Sequence, residues 1–283
     1  MSGYEDYTRV SSVYDQTREP VGVEIILGCL AGGRCPLSET SLLDAGCGTG
    51  NYSKALIPHV ARIEAVDINA GMLAKARAKL GRETSAGRIR FHQAPIDALP
   101  LKNESVDGVM VNQVLHHLDD DAAAGWPVVR RVVKEFVRVL RPGGALLINI
   151  CSHEQIGHGW WYLSLIPEAM ERMRRRHVPI DGLKGIVKDC GLSDAGCFVP
   201  LDGVMQGRHY FDGRGPLDER WRSGDSIWTL VGDDQLKNVQ AKIRKLDQAG
   251  ELEQFVREND ARRRHIGQFT FVCARKKQAS FRR

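Results

Sequence analysis

The 283-residue sequence predicts an α/β fold, a doubly wound and mostly parallel sheet covered by helices on both faces. Two patterns carry that expectation. Short apolar runs of strand length alternate five times with helical periodicities, and the runs are near-continuously apolar, as strands buried on both faces are. A glycine-rich turn closes the first run, where a strand hands over to a helix.

The strand candidates are SLLDAG (41–46), RIEAVD (62–67), RIRFHQ (88–93), VDGVMVN (106–112) and ALLINIC (145–151). Between them, Met72, Leu73, Ala76 and Leu80 recur at helix spacing. Val129, Val133, Phe136, Val137 and Leu140 do so again, with Pro127 suited to a first turn and RPGG (141–144) as the stop. After Cys151 the rhythm changes. A Trp-rich helix candidate (159–177) and a second helix near 182–190 lead to a short strand (195–201) and a polar, Gly-rich segment (207–228). Two more helices follow, one carrying Leu236, Val239, Ile243 and Leu246 and the other around Leu252 to Val256, and GQFTFVCARKK (267–277) alternates like a closing strand. Residues 1–40 read as an N-terminal helical lid segment, 41–151 as the ligand-binding core, and 152–283 as a part that completes the sheet and inserts lid elements.

Composition narrows the class. At 42% hydrophobic residues the chain buries a core without help from metals or disulfides. Seven cysteines, an odd number without a CxxC pair, fit reduced thiols in the cytoplasm and no metal site. The start has neither a basic nor an apolar leader pattern, and no run reaches the ~18 residues of a membrane span. The net charge of +5 gathers in RMRRRH (172–177), ARRRH (261–265) and the tail, a pattern of solvated helix faces before it is one of nucleic-acid grip.

The loop Gly46-Cys47-Gly48-Thr49-Gly50 lets backbone approach a ligand closely. It lacks the GK[ST] ending of a phosphate loop, and its third glycine comes one position early for a dinucleotide fingerprint. Asp67 ends the next strand, 21 residues after Gly46, an offset at which an acid accepts hydrogen bonds from ribose hydroxyls. A ribose without a pyrophosphate describes S-adenosylmethionine.

The stretches LLDAGCGTG (42–50), IEAVDINAGMLAKARAKL (63–80), ALPLKNESVDGVMVNQVLHHL (98–118) and EFVRVLRPGGALLINI (135–150) together resemble the class I S-adenosylmethionine-dependent methyltransferases of the ubiquinone/menaquinone-biosynthesis type. The resemblance implies a seven-stranded Rossmann-like sheet with strand seven antiparallel. It implies that Gly46, Gly48 and Gly50, with Asp44 and Cys47, line the methionine portion. Asp67 would take the ribose, Ile68 and Met72 one side of the adenine, and Asn112 and Gln113 the amino-acid end. The acid that commonly receives the adenine amino group falls where this chain has Pro95, so Ile96 and Asp97 are the substitutes.

Methyl transfer from a sulfonium is an in-line displacement in which positioning does most of the work. A base assists where the acceptor is a hydroxyl, thiol or protonated amine, and His116 and His117 lie just past the fourth strand. Tyr14, Arg18, Trp160, Trp161 and Trp228 are the candidates for the acceptor pocket. The function expected is transfer of a methyl group to a small molecule, leaving S-adenosylhomocysteine. The competing readings are a nucleic-acid methyltransferase, against which the absence of an NPPY-type motif counts, and a non-catalytic binding module; a nicotinamide oxidoreductase is more distant still. Oligomeric state and the identity of the acceptor are left open.

Overall fold

Seven strands form one sheet in the order β3-β2-β1-β4-β5-β7-β6. They are β1 (Ser41–Ala45), β2 (Arg62–Asp67), β3 (Ile89–Gln93), β4 (Val106–Asn112), β5 (Leu140–Ile150), β6 (Gly196–Phe198) and β7 (Thr270–Arg275). The structure, a computed structural model, describes residues 18–193 and 195–278.

β1 pairs in parallel with β2 and β4, β2 with β3 and β4 with β5, whereas β6 and β7 pair antiparallel. Every residue of β1 is buried, as two-sided cover demands. The fold is the mostly parallel, Rossmann-like α/β sheet that the alternation predicts. β5 begins five residues earlier than expected. Leu140 already pairs with Val106, and the RPGG segment is absorbed as a register shift before Gly108 meets Ala145.

The described residues fall into two compact units. The sheet unit comprises Gly22–Ile150, Val178–Phe198 and the chain from Phe271 onward. Its helices include α1 (Val23–Ala31), α2 (Asn51–Leu56), α3 (Ala70–Lys79), α4 (Pro127–Val139) and α5 (Ile180–Asp189). α4 opens with Pro127 at its first turn and buries Val129, Val132, Val133, Phe136 and Val139, spaced as one apolar face, in a core shared with Leu183, Ile186 and Val187 of α5. α1 buries Ile26 and Leu30, and a Cβ on Gly108 of β4 would overlap the Leu30 side chain, so this glycine lets α1 lie close on the sheet. The segment 1–40, expected as one lid, therefore divides: 22–40 belongs to the sheet unit, because α1 has an apolar face to bury there.

The second unit comprises Cys151–His177, Val199–Thr270 and the described residues up to Val21. The Trp-rich helix candidate of 159–177 breaks in two here. A 3-10 turn spans Trp161–Leu165, and Pro167, which has no N–H to donate, starts a new helix, α6 (Pro167–Arg175). Further helices are α7 (Asp233–Gln248) and α8 (Leu252–Asp260). Trp161, Tyr162, Trp221 and Trp228 pack as an aromatic core, with ring centroids of Tyr162, Trp221 and Trp228 separated by 5.1 to 5.8 Å. No helix among the described residues is long and apolar enough to cross a membrane.

Candidate active site

The carboxyl ends of β1, β2, β4 and β5 carry the polar side chains of the sheet unit, at the edge where open α/β sheets bind ligands. Asp44 lies near the end of β1, Asp67 ends β2, Asn112 ends β4, and Asn149, in register with Asn112, lies near the end of β5.

The three loop glycines have different reasons to be glycine, although all have positive φ: +76° at Gly46, +52° at Gly48 and +79° at Gly50. A Cβ on Gly46 would come within 2.5 Å of Val114 Cγ2, and one on Gly50 within 3.1 Å of Leu80 and 3.2 Å of Ala76. Of the three, Gly48 alone has no atom of the described residues within 4 Å of an added Cβ. Gly46 and Gly50 are therefore required by packing and by backbone conformation, and Gly48 is the member of the loop whose bare face looks onto free volume.

Two acids adjoin this loop, the buried Asp44 and the half-buried Asp67. Asp44 is 2% exposed and accepts a 2.7 Å hydrogen bond from Ser53 Oγ, on the first turn of α2. Burial pushes its carboxyl up to about 7, the Ser53 hydrogen bond opposes the rise, and the negative charge of Asp67 adds to it. Asp67 accepts 2.8 Å bonds from the backbone N–H groups of Gly48 and Asn69, and burial still holds its carboxyl above the usual range. Among the described residues no Lys, Arg or His forms an ion pair with either acid. Cys47 is buried between the loop glycines, and desolvation followed by the charges of Asp44 and Asp67 raises its thiol, so it is an inert wall of the site.

The other rim is built from amides. Gln113 sits at φ +55°, unusual for a side-chain-bearing residue; its backbone N–H donates to the Asn149 carbonyl at 2.9 Å and its Nε2 to Asn149 Oδ1 at 2.8 Å. Asn149 Nδ2 reaches Tyr52 Oη at 3.4 Å, joining β5 to α2. Asn112 Nδ2 is buried without a hydrogen-bond partner among the described residues. Lys79 Nζ donates to Asn51 Oδ1 and, at 3.4 Å, to Thr49 Oγ1, which pins the loop to the end of α3.

Residues 43–148, which contain this edge, match the family model described as a methyltransferase domain. Over that stretch the chain is similar to methyltransferases. It is 30% identical over 147 residues to a demethylmenaquinone methyltransferase of Clavibacter sepedonicus, an alignment covering 50% of this chain and 55% of that one. Its fold is similar to a protein described as a methyltransferase from an antibiotic biosynthesis pathway of Anabaena variabilis, with a TM-score of 0.70, 19% identity and coverage of 91% and 98% of the two chains. It is also similar to phosphoethanolamine N-methyltransferase 2 of Haemonchus contortus, solved in complex with S-adenosyl-L-methionine, with a TM-score of 0.57, 18% identity and coverage of 96% and 57%.

Around the methyltransferase core the remaining candidates lie as follows. Ile68 is 42% exposed directly after Asp67, and Met72 is buried at the start of α3, its N–H capped by Asn69 Oδ1 at 3.0 Å. Ile96 is buried. Asp97 Oδ2 is held by Arg131, at 2.9 Å from Nε and 2.8 Å from Nη2. This ion pair with the surface of α4 occupies the acid offered for the adenine amino group. His116 and His117 follow β4 in a 3-10 turn (Leu115–His117); His116 is buried, His117 half-buried, and their ring centroids are 3.9 Å apart.

The acceptor candidates other than Tyr14, which lies outside the described residues, are in the second unit. Trp161 is fully buried and donates its indole N–H to the Tyr210 carbonyl at 2.7 Å. Trp160 and Trp228 are buried with Nε1 atoms that have no partner among the described residues. Arg18 donates to the Gly224 carbonyl at 2.9 Å and faces Asp225 at 3.4 Å; Asp225 in turn receives the Tyr162 hydroxyl at 2.5 Å. Its partner is thus an acid of the protein.

Four arginines of the two internal basic clusters form ion pairs within the unit. Arg174 and Arg175 pair with Glu171, Arg262 with Glu154, and Arg263 with Asp260, a pair 6% and 4% exposed.

The residues that the glycine motif did not disclose are Ser53, Tyr52, Asn69 and Asn149. Asn149 had a legible signal, a lone amide inside the apolar strand LLINIC. Ser53 had a weaker one, a small hydroxyl in the first turn of the helix that follows the loop.

Proposed function

We propose that the protein transfers a methyl group from S-adenosylmethionine to a small-molecule acceptor. The observation that carries the reading is the pair of carboxylates at the glycine loop, the buried Asp44 and the half-buried Asp67, neither of which forms an ion pair with a cation among the described residues. Buried acids without a partner are costly, and a cationic, ribose-bearing ligand relieves that cost. The orphan amide N–H of Asn112 at the same sheet edge adds a donor for a carboxylate or carbonyl oxygen. The residues present therefore fit the group.

When bound, S-adenosylmethionine supplies a methyl on a positively charged sulphur whose departure as a thioether is favourable. Asp67, whose oxygens also take the backbone N–H groups of Gly48, Ile68 and Asn69, accepts from ribose hydroxyls. Ile68 and Met72 offer apolar surface to the adenine, with Ile96 and Asp97 on its other side. Asn112 and Gln113 orient the amino-acid end, and the Gln113–Asn149–Tyr52 chain fixes that rim. His116 or His117 takes a proton where the acceptor carries one. The names of relatives, a demethylmenaquinone and a phosphoethanolamine methyltransferase, support an acceptor of low molecular mass. The internal ion pairs of the basic clusters give no support to a nucleic-acid acceptor.

Titration calorimetry with S-adenosylmethionine, followed by incubation of the protein with methyl-labelled cofactor and a metabolite extract, tests the reading. Saturable heat and a labelled small molecule are expected. No heat at millimolar cofactor removes it in favour of a binding module without the donor.

A further inference from the structure

We infer that Asp44 is a specificity-determining residue for the charge of the ligand: it holds a proton in the free protein and surrenders it when the sulfonium form of the cofactor is seated. The inference rests on the donor assignment made above and extends it to how charged donor and neutral product are told apart.

The geometry around Asp44 leaves few alternatives for its charge. Its neighbours in strand register are Ala65 of β2 and Met110 of β4, both apolar. α2 offers neutral donors, the hydroxyl and the backbone N–H of Ser53. The loop offers the Cys47 thiol, which desolvation keeps protonated. β2 offers Asp67, a like charge. From α3, Arg77 acts on Cys47, and the Lys79 ammonium is committed to Thr49 and Asn51. A carboxylate in that setting faces a second carboxylate and, among the described residues, pairs with no cation, so one proton shared into the pair is the favourable free state, consistent with an Asp44 carboxyl pushed up to about 7.

A ligand with a fixed positive charge beside the open face of Gly48 reverses the balance. It cannot lose its charge, so the cheaper response is for Asp44 to ionise. The thioether product carries one positive charge fewer and gives less cause for the proton to leave. Binding of the donor is then linked to release of a proton to solvent, and its affinity rises with pH up to the point at which Asp44 is already ionised in the free protein. No bond is made or broken in this step. One O–H proton moves from carboxyl to buffer.

The test is calorimetric titration of the whole chain with S-adenosylmethionine and, separately, S-adenosylhomocysteine, at about pH 6.5 in buffers of different ionisation enthalpy; the slope of heat against that enthalpy counts protons. Most of one proton is expected to leave with the sulfonium and clearly less with the thioether. Donor affinity should rise roughly tenfold per pH unit below about pH 7. Asp44→Asn should bind with no proton release attributable to this site. Ser53→Ala, which keeps the carboxyl but removes the hydrogen bond that favours its ionised form, should move the release to higher pH. If the donor binds with normal heat but releases no more protons than the product does, Asp44 does not read ligand charge and the donor assignment still stands. If no heat appears with either compound, both fall.

Discussion

The two carboxylate oxygens of Asp67 hold two different backbone amides, Gly48 N–H on Oδ2 and Asn69 N–H on Oδ1, each at 2.8 Å. One side chain thus ties the glycine loop after β1 to the turn that starts α3. Asn69 then caps that helix by accepting from Met72 N–H. Loop, acid and helix are one hydrogen-bonded piece, so the Asp67 carboxylate is held in place before any ligand arrives.

Removing the carboxylate should cost both anchors and the ligand bonds. Asp67→Ala is expected to weaken S-adenosylmethionine binding by about 1–3 kcal/mol, read by calorimetry. Asp67→Asn keeps one acceptor oxygen and should fall between the two. An affinity unchanged in Asp67→Ala would remove the ribose assignment.

The glycines separate packing from binding. Gly48→Val adds a side chain where nothing stands within 4 Å, so a folded protein with binding abolished is expected, at a modest backbone cost for its φ of +52°. Gly46→Ala drives a methyl to within 2.5 Å of Val114, and a loss of about 1–3 kcal/mol in urea unfolding is expected. Normal binding by folded Gly48→Val would mean that the loop does not face the ligand.

Why this much could be read beforehand, and no more, follows from where each signal is local. The strands and α4 were legible because burial on both sides demands continuous apolarity and a one-sided helix demands a stripe; Val129, Val133 and Phe136 meet that demand. Asp67 was legible because a strand end and a fixed offset define it. The early start of β5 was not, since RPGG reads locally as a stop and only pairing of Leu140 with Val106 makes it strand. The division of residues 1–40 was hidden for the same reason: the contact of Leu30 with the bare Cα of Gly108 joins positions 78 residues apart. Likewise, Arg131 on Asp97 and Asp225 on Arg18 are partners that no spacing announces.

In the second unit, Asp260 accepts from Arg263 Nε at 2.7 Å and Nη2 at 2.8 Å, and from the Tyr210 hydroxyl at 2.6 Å. With both charged partners almost wholly buried, removal of one strands the other. Asp260→Ala is expected to cost about 3–5 kcal/mol. Replacing Tyr210 by Phe, which deletes only a hydroxyl, should cost about 1–2 kcal/mol. Chemical denaturation of each variant checks the order. A loss within about 0.5 kcal/mol for Asp260→Ala would show the pair to be idle.

Stability should depend on pH through two buried groups of opposite sign. Asp44 is raised by burial from 3.8 to about 7, so between those values the native protein holds a proton that the unfolded chain has released. Its contribution is full below about pH 4 and is lost as pH rises through about 7; Asp67, also raised by burial, acts in the same direction. His177 is lowered by burial from 6.5 to about 4, so there the unfolded chain binds the proton that the native protein refuses. That contribution is present above about pH 6.5 and is lost as pH falls through about 4. Between about pH 4 and 6.5 the two slopes therefore oppose one another, and with Asp67 added to Asp44 the net stability of the free protein should fall gently as pH rises towards 7, the Asp44 share alone amounting to on the order of 4 kcal/mol across its window. Urea unfolding between about pH 4.5 and 8.5 should show Asp44→Asn removing most of the fall of stability with rising pH and His177→Gln making that fall steeper. Identical pH profiles for the wild type and Asp44→Asn would mean that Asp44 is ionised in the native state across the range, and the protonated acid at the mouth of the glycine loop would have to be given up.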